Sequence, residues 1–273
     1  METSHELAAK GGGRFEGPRR PLIFGHRGAA GEAPENTLAA FELALAQGAD
    51  GIEFDVRFSA DSEPVVIHDA RLNRTTSGTG FVHEYQARAL KSLDAGSWFN
   101  ERYPAQARGR FVGQRIPLLA EVLTWVRRRG CRALVEIKEG SGAYPGIEAK
   151  ILRAIRSTAT ASLVTIISFD HAALRRARQL DANLSLGASF KRPIFALRRA
   201  KSLGARMVVP HWAFASRQFI RRAHQAGLEV VVWTVNQPEA LRRKIADGVD
   251  GIITDYPARL AEMRGRMGVS RGW

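Results

Sequence analysis

The stretches AQGADGIEFDV (46–56) and ADGVDGIITDY (246–256) decide the fold. They are close echoes: Gly48-Ala49-Asp50-Gly51-Ile52 returns near the other end of the chain as Gly248-Val249-Asp250-Gly251-Ile252. In each, a helical segment stops at a glycine, the residue that suits the left-handed position closing a helix. A short turn follows, then a β-rich run. The same punctuation recurs at RRGCRALVEIK (128–138), SLGARMVVPHW (202–212) and QAGLEVVVWTV (225–235). Helix, glycine and strand in repetition indicate a βα-repeat architecture.

Working outward, eight strand candidates fall at 21–25, 51–56, 132–137, 163–168, 184–188, 206–210, 229–235 and 250–254. Their near-continuous apolar content fits strands buried on both faces of a parallel sheet. Helical patterns separate most of them. In ENTLAAFELALAQG (35–48), Leu38, Phe41 and Leu45 share a face, and Asn36 or Thr37 caps the start. In QPEALRRKIADG (237–248), Pro238 sits in the first turn and Leu241 and Ile245 form the buried stripe. Eight such units predict a (β/α)8 barrel, with a doubly wound sheet as the structural alternative. After the second strand the pattern breaks. EPVVIHD (63–69) adds a short β-like run, and residues 70–115 show no clear helical period. They read as an insertion at the barrel mouth. The domain spans 21–262, with a flexible tail over 1–20 and a second tail over 263–273.

The chain of 273 residues is 45% hydrophobic and 25% charged, ordinary for a globular protein, and long enough for one barrel of about 250 residues. Its net charge of +14 is mostly arginine. Arginine-rich helix faces account for much of this. The charge also admits peripheral contact with an anionic membrane or an acidic substrate. No zinc-finger spacing or aromatic-interleaved basic strand suggests a specific nucleic-acid partner. A single cysteine, Cys131, excludes an intrachain disulfide and reads as a small core residue. No apolar run approaches the ~18 residues of a membrane span, and the N-terminus does not read as a signal peptide. The expected location is the cytoplasm. Nothing in the sequence sets the oligomeric state.

In a parallel barrel, chemistry sits at the C-terminal ends of the strands. There the sequence places His26-Arg27, Glu53 and Asp55, Glu136 and Lys138, Trp233 and Asp255, while the added run ends at His68. Residues two apart on a strand share a face. Glu53 and Asp55 therefore point together, as do Glu136 and Lys138, with Ile52, Phe54, Val135 and Ile137 opposite. Adjacent carboxylates resist joint ionisation, and a bound cation relieves this. An all-oxygen set of Glu53, Asp55 and Glu136 suits Mg2+ or Ca2+ rather than zinc. A buried ion network with Lys138 and Arg27 is the purely structural alternative. His26 and His68 beside such a site suit general acid and base roles. Arg27 and Lys138 supply charge for an anionic substrate, and Arg27 can engage phosphate bidentately. Trp233 is either core or an apolar wall for substrate. His211, ending the sixth strand, either lines the site or does not; His5, His83, His171 and His224 are weaker candidates. Asp255 either caps the final turn or supports the site from behind.

The motifs HRGAAGEAPENTLAAF (26–41), GADGIEFDVRFSADSEPVVIHD (48–69), LVEIK (134–138), VVVWTVN (230–236) and GVDGIITDYP (248–257) together resemble the glycerophosphodiester phosphodiesterases over about residues 22–260. Ser59 and Glu63 depart slightly from that pattern. The resemblance implies a metal-dependent (β/α)8 barrel with a small insertion after the second strand. It implies hydrolysis of glycerophosphodiesters to sn-glycerol 3-phosphate and an alcohol. By position, His26 and His68 would be the acid and base. Glu53, Asp55 and Glu136 would hold the cation, and Arg27 and Lys138 would meet the phosphate. Residues 70–115 match the family's variable lid. A lysophospholipase D or a phospholipase C-like lyase would use the same residues, and a non-catalytic membrane-surface binder is a distant alternative.

Overall fold

The computed structural model describes residues 20–107, 109–138, 145–192 and 194–269. Its strands are β1 (Leu22–His26), β2 (Gly51–Phe58), β3 (Pro64–Val66), β4 (Arg132–Ile137), β5 (Val164–Ser168), β6 (Leu186–Phe190), β7 (Met207–Pro210), β8 (Glu229–Val232) and β9 (Gly251–Thr254). Eight of them run parallel in the order β1-β2-β4-β5-β6-β7-β8-β9, and β9 pairs with β1 to close the ring. β3 lies outside the ring, antiparallel to the end of β2. The expected (β/α)8 barrel is present, and the doubly wound alternative falls because the sheet has no free parallel edge.

The ring is enclosed by α1 (Leu38–Ala46), α5 (Leu119–Arg129), α6 (Ile147–Ser157), α7 (His171–Leu180), α8 (Ala196–Ser202), α9 (Arg217–Gln225), α10 (Pro238–Asp247) and α11 (Pro257–Val269). Three short helices, α2 (Ala87–Ser92), α3 (Ser97–Arg102) and α4 (Pro104–Ala107), belong to the insertion. Strand residues alternate between two cores. Ile52, Phe54, Val135 and Ile137 face outward into the large core shared with the helices. Phe24, Leu134, Ile167, Met207, Val209, Val231 and Ile253 fill the barrel interior. Phe41 of α1 is fully buried between Phe54 and Trp125, with ring centroids 5.7 and 5.9 Å away. Truncating such a ring costs about 3–5 kcal/mol. Thr37, not Asn36, caps α1, accepting the Ala40 N–H at 3.2 Å. Leu38, expected beside Phe41, is exposed, and Ala40 and Ala44 complete the buried face.

The echoed glycine-aspartate units do the same work at both places. Gly48 and Gly248 hold φ of +86° and +87°, the left-handed geometry that turns the chain from helix to strand. The next aspartate then locks the neighbouring strand. Asp50 Oδ2 accepts the Ile23 N–H at 2.7 Å while its own N–H donates to Ile23 O at 2.9 Å. Asp250 repeats both bonds with Val230, at 2.7 and 2.9 Å. Asp50 also receives Arg264 of α11, which ties that helix under the barrel. α11 runs to Val269, past the boundary at 262 read from the sequence. Of the tail expected over 1–20, all but Arg20 lies outside the described residues.

The insertion has its own small core of Val65, Ile67, Leu72, Val82, Leu90 and Ile116. A second patch, Phe99, Ala107 and Phe111, seats it on Ala33 and Ala40 beside α1. Strand β8 stops at Val232, three residues short of expectation. Beyond it, Trp233 makes a single bridge to His211, and the chain turns to bring Asn236 to Asp255. No helix among the described residues is long and apolar enough to cross a membrane.

Candidate active site

Parallel register brings the predicted carboxylates together. Asp55 on β2 is level with Glu136 on β4, and Glu53 is level with His26 on β1. Glu53, Asp55 and Glu136 are all buried and offer oxygen atoms within 4.8 Å of one another. Burial and the neighbouring charges of Asp55 and Glu136 push Glu53 up to about 8. Glu136 is raised by burial and by Asp55. Burial also opposes ionisation of Asp55, but Arg27, Lys138 and His68 overcome it and hold this carboxyl well below the usual range. The cluster is thus short of positive charge. Three hard oxygen donors fit one hard divalent cation, and its charge would favour the ionised forms that burial and crowding disfavour at Glu53 and Glu136.

Arg27 and Lys138 are already part of this network. Lys138 Nζ donates to Glu136 Oε1 at 2.6 Å and lies 3.4 Å from Asp55 Oδ1. Arg27 Nε lies 3.2 Å from Asp55 Oδ2, and its Nη1 donates to Glu35 at 2.8 Å. Its backbone N–H donates to Glu53 at 3.1 Å. The chain reaches this geometry through left-handed backbone at Arg27 and Gly28, with φ of +51° and +88°. A Cβ on Gly28 would lie 2.5 Å from the Ala40 carbonyl carbon, so β1 can end here only on glycine.

Each histidine is tied by its own carboxylate. His26 Nδ1 lies 2.6 Å from Asp255 Oδ1, and the other Asp255 oxygen accepts Asn236 Nδ2 at 2.5 Å. Burial disfavours ionised Asp255, yet the bonds from His26 and Asn236 keep it ionised, so Nδ1 carries the hydrogen. Burial works against protonated His26, as does Arg27, but the bond to Asp255 together with the charges of Glu53 and Asp255 outweighs them and raises the group. His68 Nδ1 lies 2.6 Å from Asp69 Oδ1, and Arg74 clamps Asp69 at 2.7 and 3.0 Å. Burial lowers His68, reinforced by Arg27 and Lys138 against the pull of Asp55. The bond from Ile67 N–H to Asp55 O at 3.0 Å sets His68 beside the cluster. In both histidines these bonds engage Nδ1 and leave Nε2 outside them.

Several members of the site carried no signal in the sequence. Asn36 donates to Asp55 Oδ2 at 2.9 Å and accepts the Asp55 N–H at 3.3 Å. Glu35 bridges Arg27 and Arg74. Asp69 and Arg74 complete the support of His68. Only adjacency to His68 could have flagged Asp69. Trp233 takes no part in this hydrogen-bond network. Its Nε1 donates to Val209 O at 2.9 Å, and its ring meets Phe169 and His211 edge-on at 5.2 and 5.3 Å. His211 caps a short turn, and His224 pairs with Asp250 away from the mouth. His83 lies in the insertion and His171 bonds the Ser189 carbonyl at 3.0 Å; His5 lies outside the described residues.

Two carboxylate-tied histidines beside a buried, cation-ready carboxylate cluster in a barrel mouth fit a hydrolase of phosphate esters. More narrowly, the chain belongs to the glycerophosphoryl diester phosphodiesterase family, whose profile matches residues 26–259. It is 36% identical over 245 residues to a glycerophosphodiester phosphodiesterase of Caldanaerobacter subterraneus subsp. tengcongensis, covering 89% of this chain and 98% of that one. A phosphodiesterase of Oleispira antarctica, solved in complex with the product sn-glycerol-3-phosphate, superposes with a TM-score of 0.80. The two are 30% identical, over 89% of this chain and 96% of the other. A glycerophosphodiester phosphodiesterase of Agrobacterium tumefaciens str. C58 superposes with a TM-score of 0.76 at 31% identity, over 89% and 99% of the two chains.

Proposed function

We propose that this chain hydrolyses glycerophosphodiesters to sn-glycerol 3-phosphate and an alcohol, with Mg2+ or Ca2+ on Glu53, Asp55 and Glu136 and with His26 and His68 transferring protons. The observation that carries this reading is the flanking of one buried carboxylate cluster by two histidines, each with Nδ1 committed to a separate carboxylate. The product-bound relative supports the choice of substrate.

A bound cation supplies positive charge that polarises the phosphate and acidifies a hydroxyl beside it. Arg27 and Lys138 add two fixed positive charges at the same place, which draws in an anionic diester and offsets charge developing on its oxygens. One histidine accepts the proton of the attacking hydroxyl at Nε2. The other donates from Nε2 to the departing alcohol oxygen. Asp255 and Asp69 keep both rings in the tautomer this requires. The attacking hydroxyl is that of the neighbouring glycerol carbon, favoured because it is held in place, or that of water. In the first case water then opens the cyclic phosphate with the two histidines exchanging roles. Trp233 offers an apolar wall to the substrate.

Phosphorus NMR of a reaction with glycerophosphocholine tests this. The expected products are sn-glycerol 3-phosphate and choline. Accumulation of a stable cyclic phosphate would instead make the enzyme a lyase. Release of phosphocholine and glycerol would contradict the proposed bond cleavage.

A further inference from the structure

From Ala182 to Leu228 the chain carries nine lysines and arginines and not one aspartate or glutamate. Folding brings part of this stretch to the barrel mouth. Lys191 and Arg192 directly follow β6, Arg198 lies in the first turn of α8, and Arg222 lies on α9. Three large apolar side chains stand exposed among them: Ile194 at 68%, Phe195 at 77% and Phe214 at 47%. Phe195 and Phe214 border one groove of about 400 Å3, which Arg198 and Arg222 also line. Phe195 moreover holds φ at +56°, a left-handed conformation unusual for a bulky residue, at the position that caps α8. The backbone is strained and the ring it carries is in solvent.

We propose that this rim docks the barrel mouth onto an anionic lipid bilayer. Ile194, Phe195 and Phe214 enter the interface, and Lys191, Arg192, Arg198 and Arg222 meet the headgroups. The combination selects the partner. A nucleic-acid duplex would satisfy the arginines but leave the isoleucine and phenylalanines unused, and a single strand that stacked on the phenylalanines would still leave Ile194 unused. A second copy of this chain, joined patch to patch about a two-fold axis, would set like charge against like charge. A bilayer with acidic headgroups satisfies both the apolar tips and the basic ring. The rim follows β6 and β7, so it lies on the C-terminal face of the barrel, as does the carboxylate cluster. An amphiphilic diester could therefore enter the site from the bilayer, a consequence that rests on the diesterase activity proposed above.

Vesicle sedimentation tests the docking directly, using phosphatidylcholine vesicles with and without about 30% phosphatidylglycerol at about 0.15 M salt. Full-length protein should bind the anionic vesicles and not the neutral ones. A triple variant, Ile194→Ser, Phe195→Gly and Phe214→Ser, should lose at least about ten-fold in partitioning. Arg192→Gln with Arg198→Gln should lose a similar factor. Glycine suits the left-handed position, so a melting curve should show Phe195→Gly folded and no less stable. All variants should hydrolyse soluble glycerophosphocholine at the wild-type rate. Wild-type protein that ignores anionic vesicles would overturn the proposal, as would a triple variant that binds them undiminished. Binding to DNA as tight as to vesicles, unaffected by the triple substitution, would assign the patch to nucleic acid and also overturn it. So would a triple variant that splits a dimer with vesicle binding unchanged. Vesicle binding by a protein inactive on every diester would support the docking and contradict the proposed function.

Discussion

Glu53→Gln separates the cost of the carboxylate cluster from its use. In chelated wild-type protein Glu53 is held at about 8 rather than its ordinary 4.5, by burial and by Asp55. Between those values the native state binds more protons than the unfolded chain. Stability must then fall as pH rises, by about 1.4 kcal/mol per pH unit for one group. By pH 7 the loss from Glu53 reaches about 3 kcal/mol. Raised Glu136 and His26 add to the slope in the same direction. Glutamine keeps the acceptor that receives the Arg27 N–H and cannot ionise. The chelated variant should therefore be the more stable protein near pH 7, by about 3 kcal/mol, and nearly equal to wild type near pH 5. With saturating Mg2+ or Ca2+ the order should reverse, because the bound cation stabilises the folded wild type and binds the variant poorly. Urea unfolding in EDTA and in cation, at several pH values, reads both effects. Parallel stability curves for the two chelated proteins would refute the electrostatic reasoning. Failure of cation to restore the wild-type advantage would refute the metal assignment.

Other substitutions probe the remaining parts. His26→Ala and His68→Ala should each lose about 10²–10⁴-fold in kcat without loss of cation affinity. A nitrophenyl diester, whose leaving group needs little protonation, should partly rescue one of the two and not the other; equal losses on both substrates would remove that division of labour. Asp255→Asn should cost about 10–100-fold in kcat and lower the upper pH limit set by His26, with KM little changed; an unaltered pH profile would leave Asp255 a structural role alone. Gly28→Ala should destabilise the fold by at least about 2 kcal/mol, because a Cβ there meets the Ala40 backbone at φ +88°; wild-type melting would contradict that packing.

The barrel was legible because its strands are buried on both faces and bounded by helix-closing glycines, so length and apolar content sufficed. The site was legible where strand parity applies: Glu53 with Asp55, and Glu136 with Lys138, point together in any parallel sheet. Asp255 showed only as a residue with two possible uses, and the bond to His26 selects between them. Glu35 and Arg74 meet across 39 positions of sequence, and Asn36 reaches Asp55 only once loop and strand are packed. Loop polar residues of this kind are indistinguishable from solvated ones until tertiary closure pairs them. The helices of the insertion are four to six residues long and bury one or two residues each against small patches, which leaves no 3.6-residue period to read.

Cation-dependent turnover is the central claim, and the initial rate of glycerophosphocholine hydrolysis by exhaustively chelated protein tests it most directly. The expected result is no turnover in EDTA, recovery when Mg2+ or Ca2+ is returned, and no comparable recovery for Glu136→Gln. Full activity in the chelated wild type would contradict the assignment of Glu53, Asp55 and Glu136 as a metal site and leave them a buried ion network with Arg27 and Lys138.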